Sequence, residues 1–181
     1  GDTAGVATLS ISDFSRASKN DPRVVAYAES DELNAALGLV LAVGSPPEGV
    51  ATVLRRIQND LFDAGADLST PIQENPKYPP LRVTQDYVTR LERWCDEFND
   101  TLAPLTSFVL PGGTAASAFL HQARTVARRA ERAAWAAVEA HPEATGPLPA
   151  TYLNRLSDLL FILGRVTNPD GDVLWKPGGE R

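Results

Sequence analysis

Apolar residues return at helical spacing in five separate stretches, and each stretch is bounded by glycine or proline. Val25, Ala28, Leu33, Ala36, Leu37 and Val40 mark the first, from Val24 to Gly44, before Ser45-Pro46-Pro47 breaks the chain. Val50, Val53, Leu54, Ile57, Leu61, Ala64 and Leu68 mark a second helix over about Gly49 to Asp67. The segment Ser69 to Pro80 holds Pro71, Pro76, Pro79 and Pro80, so it reads as a loop. A third helix starts near Thr84, a candidate N-cap, with Tyr87, Leu91, Trp94, Cys95 and Phe98 as its stripe. Phe108-Val109-Leu110 is a short apolar run that ends in the hinge Pro111-Gly112-Gly113. Thr114 opens the longest helix, Ala-rich and running to about Ala140, before Pro142. Leu153, Leu156, Leu159, Leu160 and Leu163 mark a fifth helix from Ala150 to Val166, which Asn168-Pro169-Asp170-Gly171 ends.

This pattern predicts an all-α fold, a five-helix bundle with no strand-length alternation and no internal repeat. The chain divides into an N-terminal loop segment over 1–23, a bundle over 24–167 and a Gly/Pro tail over 168–181, all within a single domain over 1–181. At 43% hydrophobic and 22% charged residues, the composition is that of a folded domain and excludes wholesale disorder. The net charge of −6 argues against nucleic-acid or anionic-membrane binding over the whole surface. With no long apolar run and no signal-peptide pattern, neither a membrane span nor secretion is expected, and the location is read as cytoplasmic. One cysteine excludes an internal disulfide framework, and one Cys with two His makes a Cys/His zinc site improbable. The absence of Met and the start at Gly1 suggest that the natural N-terminus lies further upstream.

The charge also has an internal pattern. Basic residues comprise 14 Arg and only 3 Lys, which reflects either a GC-rich coding bias or a use for Arg as the better fork for phosphate and carboxylate. Arg124, Arg128 and Arg132 fall at i, i+4, i+8 on one stripe of the fourth helix. Three like charges in a row repel one another unless carboxylates or a polyphosphate face them; the alternative is a solvated face or salt bridges between subunits. In Ser30-Asp31-Glu32-Leu33-Asn34 the acids either face that row or favour the dipole near their helix start. Asn154 and Asp158, beside Arg155, form a polar stripe among leucines that either binds a ligand or ties helices together. Gly1-Asp2-Thr3-Ala4-Gly5 can offer backbone N–H groups to phosphate, although no Gly-Lys-Ser/Thr follows it. His121 and His141 lack the Glu three residues upstream that a di-iron bundle needs, so His121 reads as a packing residue or as a support behind a site residue.

Taken in order, Ser18-Lys19-Asn20-Asp21, Ser30-Asp31-Glu32-Leu33-Asn34-Ala35 and Gln58-Asn59-Asp60-Leu61-Phe62 resemble the PduO-type ATP:cob(I)alamin adenosyltransferases. So do Ser107 to Gly113, Ala123-Arg124-Thr125-Val126 with Arg128-Arg129-Ala130-Glu131-Arg132, and Tyr152 to Asp158. The resemblance spans essentially the whole chain, and the tail from Asn168 to Gly179 is like that of actinobacterial members. It implies a ferritin-like up-down bundle assembled as a homotrimer, with active sites between subunits. It implies transfer of the 5′-deoxyadenosyl group of ATP to reduced cobalamin, the cobalamin being a substrate. A non-catalytic cobalamin carrier delivering to a mutase is the alternative.

The same resemblance assigns residues. Arg128 contacts the polyphosphate, assisted by Lys19, Gly1 and Asp2, with Mg2+ held mainly by the ATP phosphates rather than by a protein metal site. Gly5 and Thr8 belong to the same ATP loop, and Glu131 and Asn154 lie near the nucleotide. Asp31 pairs with Arg124, across the subunit boundary. Phe108 wedges beneath the corrin and displaces its lower axial ligand. A flavin reductase and an adenosylcobalamin-dependent mutase are the implied partners. One departure stands in the N-terminal loop, where Thr3-Ala4 separates Asp2 from Gly5 by one residue more than the family pattern.

Overall fold

The computed structural model describes residues 6–8 and 16–180. Five helices carry the fold: α1 (Pro22–Leu39), α2 (Glu48–Ser69), α3 (Gln85–Asn99), α4 (Ala115–Ala140) and α5 (Leu148–Val166). Val40–Gly44 extends α1 as one wider π-turn, so the first helical stretch reaches Gly44 as its periodicity predicts. The start is two residues earlier than Val24. Pro22 occupies the first turn, where its missing N–H is no loss, and the Asp21 carboxylate accepts from Arg23 N at 2.9 Å. Thr114 caps α4 as expected, its hydroxyl accepting from Ser117 N at 3.1 Å.

Thr84 stands where it is expected, with one difference. It occupies the N-cap position of α3, but its side chain makes no capping bond. The junction is held from outside instead. The buried Asp67 carboxylate at the end of α2 accepts from Val83 N at 2.8 Å and from Arg82 at 2.6 Å. Arg82 also donates to Thr70 O and Pro71 O, so one guanidinium closes the proline-rich loop.

α4 is the central element, packed against both α1 and α5, while α2 packs on α1 and α3 on α5. Its alanines explain how it serves two neighbours. Ala123, Ala127, Ala130, Ala134 and Ala137 are fully buried, and small side chains let helix axes approach closely. Leucines from the flanking helices fill the remaining space, among them Leu33, Leu37, Leu54, Leu91, Leu153, Leu156 and Leu160. One polar node crosses this core. Asp60 of α2, 1% exposed, accepts from Arg56, from Arg90 of α3 at 2.7 Å and from the Tyr152 hydroxyl of α5 at 3.2 Å. A buried carboxylate is tolerable here because three donors surround it.

Two extended features lie outside the helices. β1 (Val6–Thr8) pairs antiparallel with β2 (Arg16–Ser18), within the segment read as an N-terminal loop. Val109 pairs with Leu174 as an isolated antiparallel bridge, which periodicity over so short a run does not reveal.

Candidate functional site

α4 divides its arginines between two neighbours. Arg129 faces α1, where Glu29 accepts at 2.5 Å and Glu32 also pairs with it. Arg124 and Arg128, on another stripe, line a cavity of about 220 Å³ with Ser157, Asp158, Phe161 and Ile162 of α5. Neither has an ion-pair partner among the described residues. Arg124 is half-buried, and its Nε is without a hydrogen bond. Burial, with the neighbouring Arg128 charge, pulls the Arg124 guanidinium below its usual pKa. It remains a cation, held where its own charge is poorly solvated. Asp158 is the acid nearest this cavity, but it accepts from Arg155 at 2.9 Å. Glu131, one turn beyond Arg128, accepts from Asn154 Nδ2 at 3.0 Å and links α4 to α5 at the rim. Of the sequence-predicted residues, Arg124, Arg128, Glu131 and Asn154 therefore share the α4–α5 face, a surplus of positive charge with a polar edge.

Asp31 lies elsewhere. It is exposed on the α1–α2 side, around a small cleft with Tyr27, Ser30, Asn34, Leu61, Phe62 and Gly65. No hydrogen bond or ion pair joins it to Arg124 among the described residues of one chain. The acid that does face α4, Glu32, meets Arg129 rather than the row of Arg124, Arg128 and Arg132. A helix turns about 100° per residue, so adjacent acids point to different neighbours. Lys19 is exposed in the turn after β2, where Asn20 N donates to Ser18 Oγ. Gly1, Asp2 and Gly5 lie outside the described residues, and Thr8 is placed by its backbone alone, opposite Arg16.

Phe108 is 78% exposed, although it lies in an apolar run. The tail holds its backbone: Trp175 N donates to Phe108 O at 2.8 Å, and Leu110 N donates to Val173 O at 2.7 Å. Its ring meets the Trp175 indole edge-on, with centroids 5.9 Å apart. Behind this pairing, Asn168 accepts from Thr114 N and donates to Gly112 O and Ser117 Oγ. Arg165 pairs with Asp172 at 2.8 Å and donates to Ala103 O. Local pattern marks Gly112-Gly113 and Asn168 to Gly171 as breakers and does not join them. The signal for their contact is the pairing of two short polar-and-glycine segments 54 residues apart, which no local pattern contains.

His121 fills a slot behind the arginine cavity, stacked edge-on against Phe161 and opposite Gly164. A Cβ at Gly164 would come within 3.2 Å of the imidazole, so glycine makes the room. Both ring nitrogens lack hydrogen bonds, and burial, with Arg124 nearby, lowers the His121 pKa. It is a neutral packing residue, as expected. Burial first, then nearby carboxylates, pushes the Cys95 thiol up to about 11, which leaves it protonated and a poor nucleophile. No cluster of three or more His, Cys, Asp or Glu that could hold a metal occurs among the described residues.

A helical bundle with unpaired arginines on its central helix, an exposed aromatic ring in the segment that leads into that helix, and no activated side-chain nucleophile among the described residues is built to bind and align reactants. The cobalamin adenosyltransferase family model matches residues 3–167. The chain is 66% identical over 179 residues to a corrinoid adenosyltransferase of Mycobacterium tuberculosis, covering 99% of this chain and 93% of that protein. It is 45% identical over 177 residues to a cobalamin adenosyltransferase of Cupriavidus metallidurans, covering 96% of this chain and 91% of that protein. Among solved structures it is similar to a variant PduO-type ATP:corrinoid adenosyltransferase from Lactobacillus reuteri complexed with cobalamin and ATP. That match has a TM-score of 0.80 at 34% identity, covering 90% of this chain and 88% of the other. The chain belongs to the cobalamin adenosyltransferase family.

Proposed function

We propose that this protein transfers the 5′-deoxyadenosyl group of ATP to cob(I)alamin, giving adenosylcobalamin and triphosphate. The carrying observation is the pair Arg124 and Arg128, cations without an anionic partner among the described residues, set on the α4–α5 face. Cob(I)alamin is itself a strong nucleophile. Its cobalt attacks the ribose C5′, a cobalt–carbon bond forms, and the C5′–oxygen bond breaks with its electrons leaving on triphosphate. The protein's tasks are alignment and stabilisation of the leaving charge. Arg128 contacts the polyphosphate, with Lys19, Gly1, Asp2, Gly5 and Thr8 completing the nucleotide loop. Glu131 and Asn154 lie beside the nucleotide. Mg2+ bound to the phosphates offsets their charge before and after the bond breaks.

Phe108 acts on the other substrate. An apolar ring beneath the corrin excludes the lower axial ligand, which leaves cob(II)alamin four-coordinate. Without that axial donor the orbital that accepts the electron drops in energy, and reduction to cob(I)alamin becomes easier. A polar side chain at 108 could itself ligate cobalt. The active assembly is a homotrimer in the cytoplasm, with Asp31 of one subunit paired to Arg124 of the next. A flavin reductase supplies the electron and an adenosylcobalamin-dependent mutase receives the product. In support, none of the described helices is long and apolar enough to cross a membrane.

The direct test incubates the protein with ATP, Mg2+ and chemically reduced cobalamin, and follows adenosylcobalamin and triphosphate by chromatography. Both products in equal amounts are expected. Cobalamin binding without either product, from a chain with its complete N-terminal loop, would reject the enzyme and leave a carrier.

A further inference from the structure

We propose that the tail segment Val173–Trp175 is a positioning strap for Phe108, and that Trp175 sets the orientation of the Phe108 ring toward the corrin; this rests on the wedge role given to Phe108 above. An apolar side chain that is 78% exposed has little packing to choose its rotamer. A wedge that excludes an axial ligand must nevertheless sit in one place. The tail supplies what the core does not. It fixes the backbone on both sides of the ring, through Trp175 N to Phe108 O and Leu110 N to Val173 O. The Ser107 hydroxyl adds a third bond, donating to Trp175 O at 2.8 Å. The indole then meets the ring itself at 72°, the edge-to-face arrangement aromatic pairs prefer.

The strap is anchored at its near end. Arg165 and Asp172, 8% and 11% exposed, join the last turn of α5 to the residue immediately before Val173. Asn168 bonds Gly112 and Thr114, the far side of the Phe108 segment. The Phe108 segment is thus clamped between two contacts that both originate at the end of α5. Trp175 is half-exposed and is not part of the hydrophobic core formed by the described residues. A large indole kept at the surface against another exposed ring fits a positioning role.

The experiment compares two starting states of the substrate. One reaction begins with pre-reduced cob(I)alamin. The other begins with cob(II)alamin and free reduced flavin, which gives up one electron to each cobalt. In parallel, electron paramagnetic resonance of cob(II)alamin bound with ATP reads the four-coordinate fraction. Trp175→Ala is expected to lower that fraction. It should also slow the cob(II)-started reaction about tenfold relative to the cob(I)-started one, in line with the cost of a misplaced group. Trp175→Phe should recover most of both, since it keeps an edge for Phe108. Ser107→Ala, which leaves every apolar contact in place, should shift both readouts in the same direction by less.

Equal losses in the two reactions, or an unchanged four-coordinate fraction, would overturn the strap. Phe108→Ala separates that failure from failure of the wedge. If Phe108→Ala splits the two reactions and Trp175→Ala does not, the strap falls and the wedge stands. If Phe108→Ala itself does not split them, both fall. Thermal unfolding of each variant shows whether the bundle is intact, and Ser107→Ala carries the test if Trp175→Ala does not fold.

Discussion

Arg128 and Arg129 are neighbours in sequence and opposite in circumstance. Arg129 is neutralised by Glu29 and Glu32 across α1, whereas Arg128 has no ion-pair partner among the described residues, the one acid lining its cavity, Asp158, being paired with Arg155. The two predict different losses. Arg128→Ala should remove charge-assisted phosphate contacts of about 1.5–3 kcal/mol each, a ten- to hundredfold loss of ATP affinity or rate. Arg129→Ala breaks a largely exposed pair, where about 0–1 kcal/mol of stability is the usual scale, and ATP affinity should hold. Calorimetric titration with ATP and urea unfolding distinguish the two variants, and equal ATP losses would remove the phosphate role from Arg128. His121 gives a pH signature at the same scale. Burial first, then Arg124, lowers its folded pKa, against the opposing pull of Asp172. Below about pH 6.5 the unfolded chain takes up this proton before the native one does. Stability is then lost as pH falls toward the folded pKa and fully present above about 6.5, with a slope of at most about 1.4 kcal/mol per pH unit from this group. His121→Leu should flatten that part of the urea-unfolding profile relative to the parent chain. An unchanged slope would show that the imidazole takes up its proton alike in the folded and unfolded chains.

Two glycines show how the same residue type serves different elements. Gly113 ends the Phe108 segment with φ of +98°, and an added Cβ would overlap the Asn168 amide. Gly113→Ala should therefore cost about 1–3 kcal/mol from backbone strain, and more if Asn168 lets go of Thr114. Gly38 lies inside α1, where a Cβ would meet only Gln58 Nε2 at an ordinary 3.7 Å. Gly38→Ala should stabilise the chain by about 0.5–1 kcal/mol, the helix-propensity difference. Urea denaturation of both variants checks the opposite signs. The contrast also explains what was legible in the sequence. All five helices follow from local periodicity and breakers, because Leu33 and Leu37, or Leu153, Leu156 and Leu160, must share a face in any helix. Arg124, Arg128 and Glu131 share a stripe for the same reason. The caps are less uniform: Thr114 matches its side-chain preference, while Thr84 stands at its N-cap position without a side-chain bond, and Asp67 of another helix holds the preceding residue, Val83, instead. The tail pairing with Phe108, the Asn168 clasp and the Asp60 node are wholly non-local. Each depends on where distant elements end up, and a single polar residue carries no period from which its partner could be read.

At the scale of the whole molecule, Asp31 and Arg124 lie on different faces of one chain. The α1–α2 face around Asp31 also leaves Tyr27 and Phe62 43% and 66% exposed, apolar surface that a second subunit would cover. A ring of three subunits uses two different faces at every contact, so a residue from each face meets its complement in the next copy. If Asp31 of one subunit pairs with Arg124 of its neighbour, an active site belongs to the interface and not to the chain. Asp31→Asn and Arg124→Ala should then each inactivate a pure trimer, the first by neutralising the acid and the second by deleting the cation. Unfolding the two inactive variants together and refolding them at equal concentration makes mixed trimers. An interface regains both wild-type groups only when the Arg124→Ala chain supplies Asp31 and the Asp31→Asn chain supplies Arg124. Random mixing produces that order at about one interface in four of a heterologous ring, so about a quarter of the parent activity should return. Sedimentation of the mixture should show a single trimeric species. Trimers that form but regain no activity would place the two residues in separate roles, and the unpaired Arg124 would then be left to the nucleotide alone.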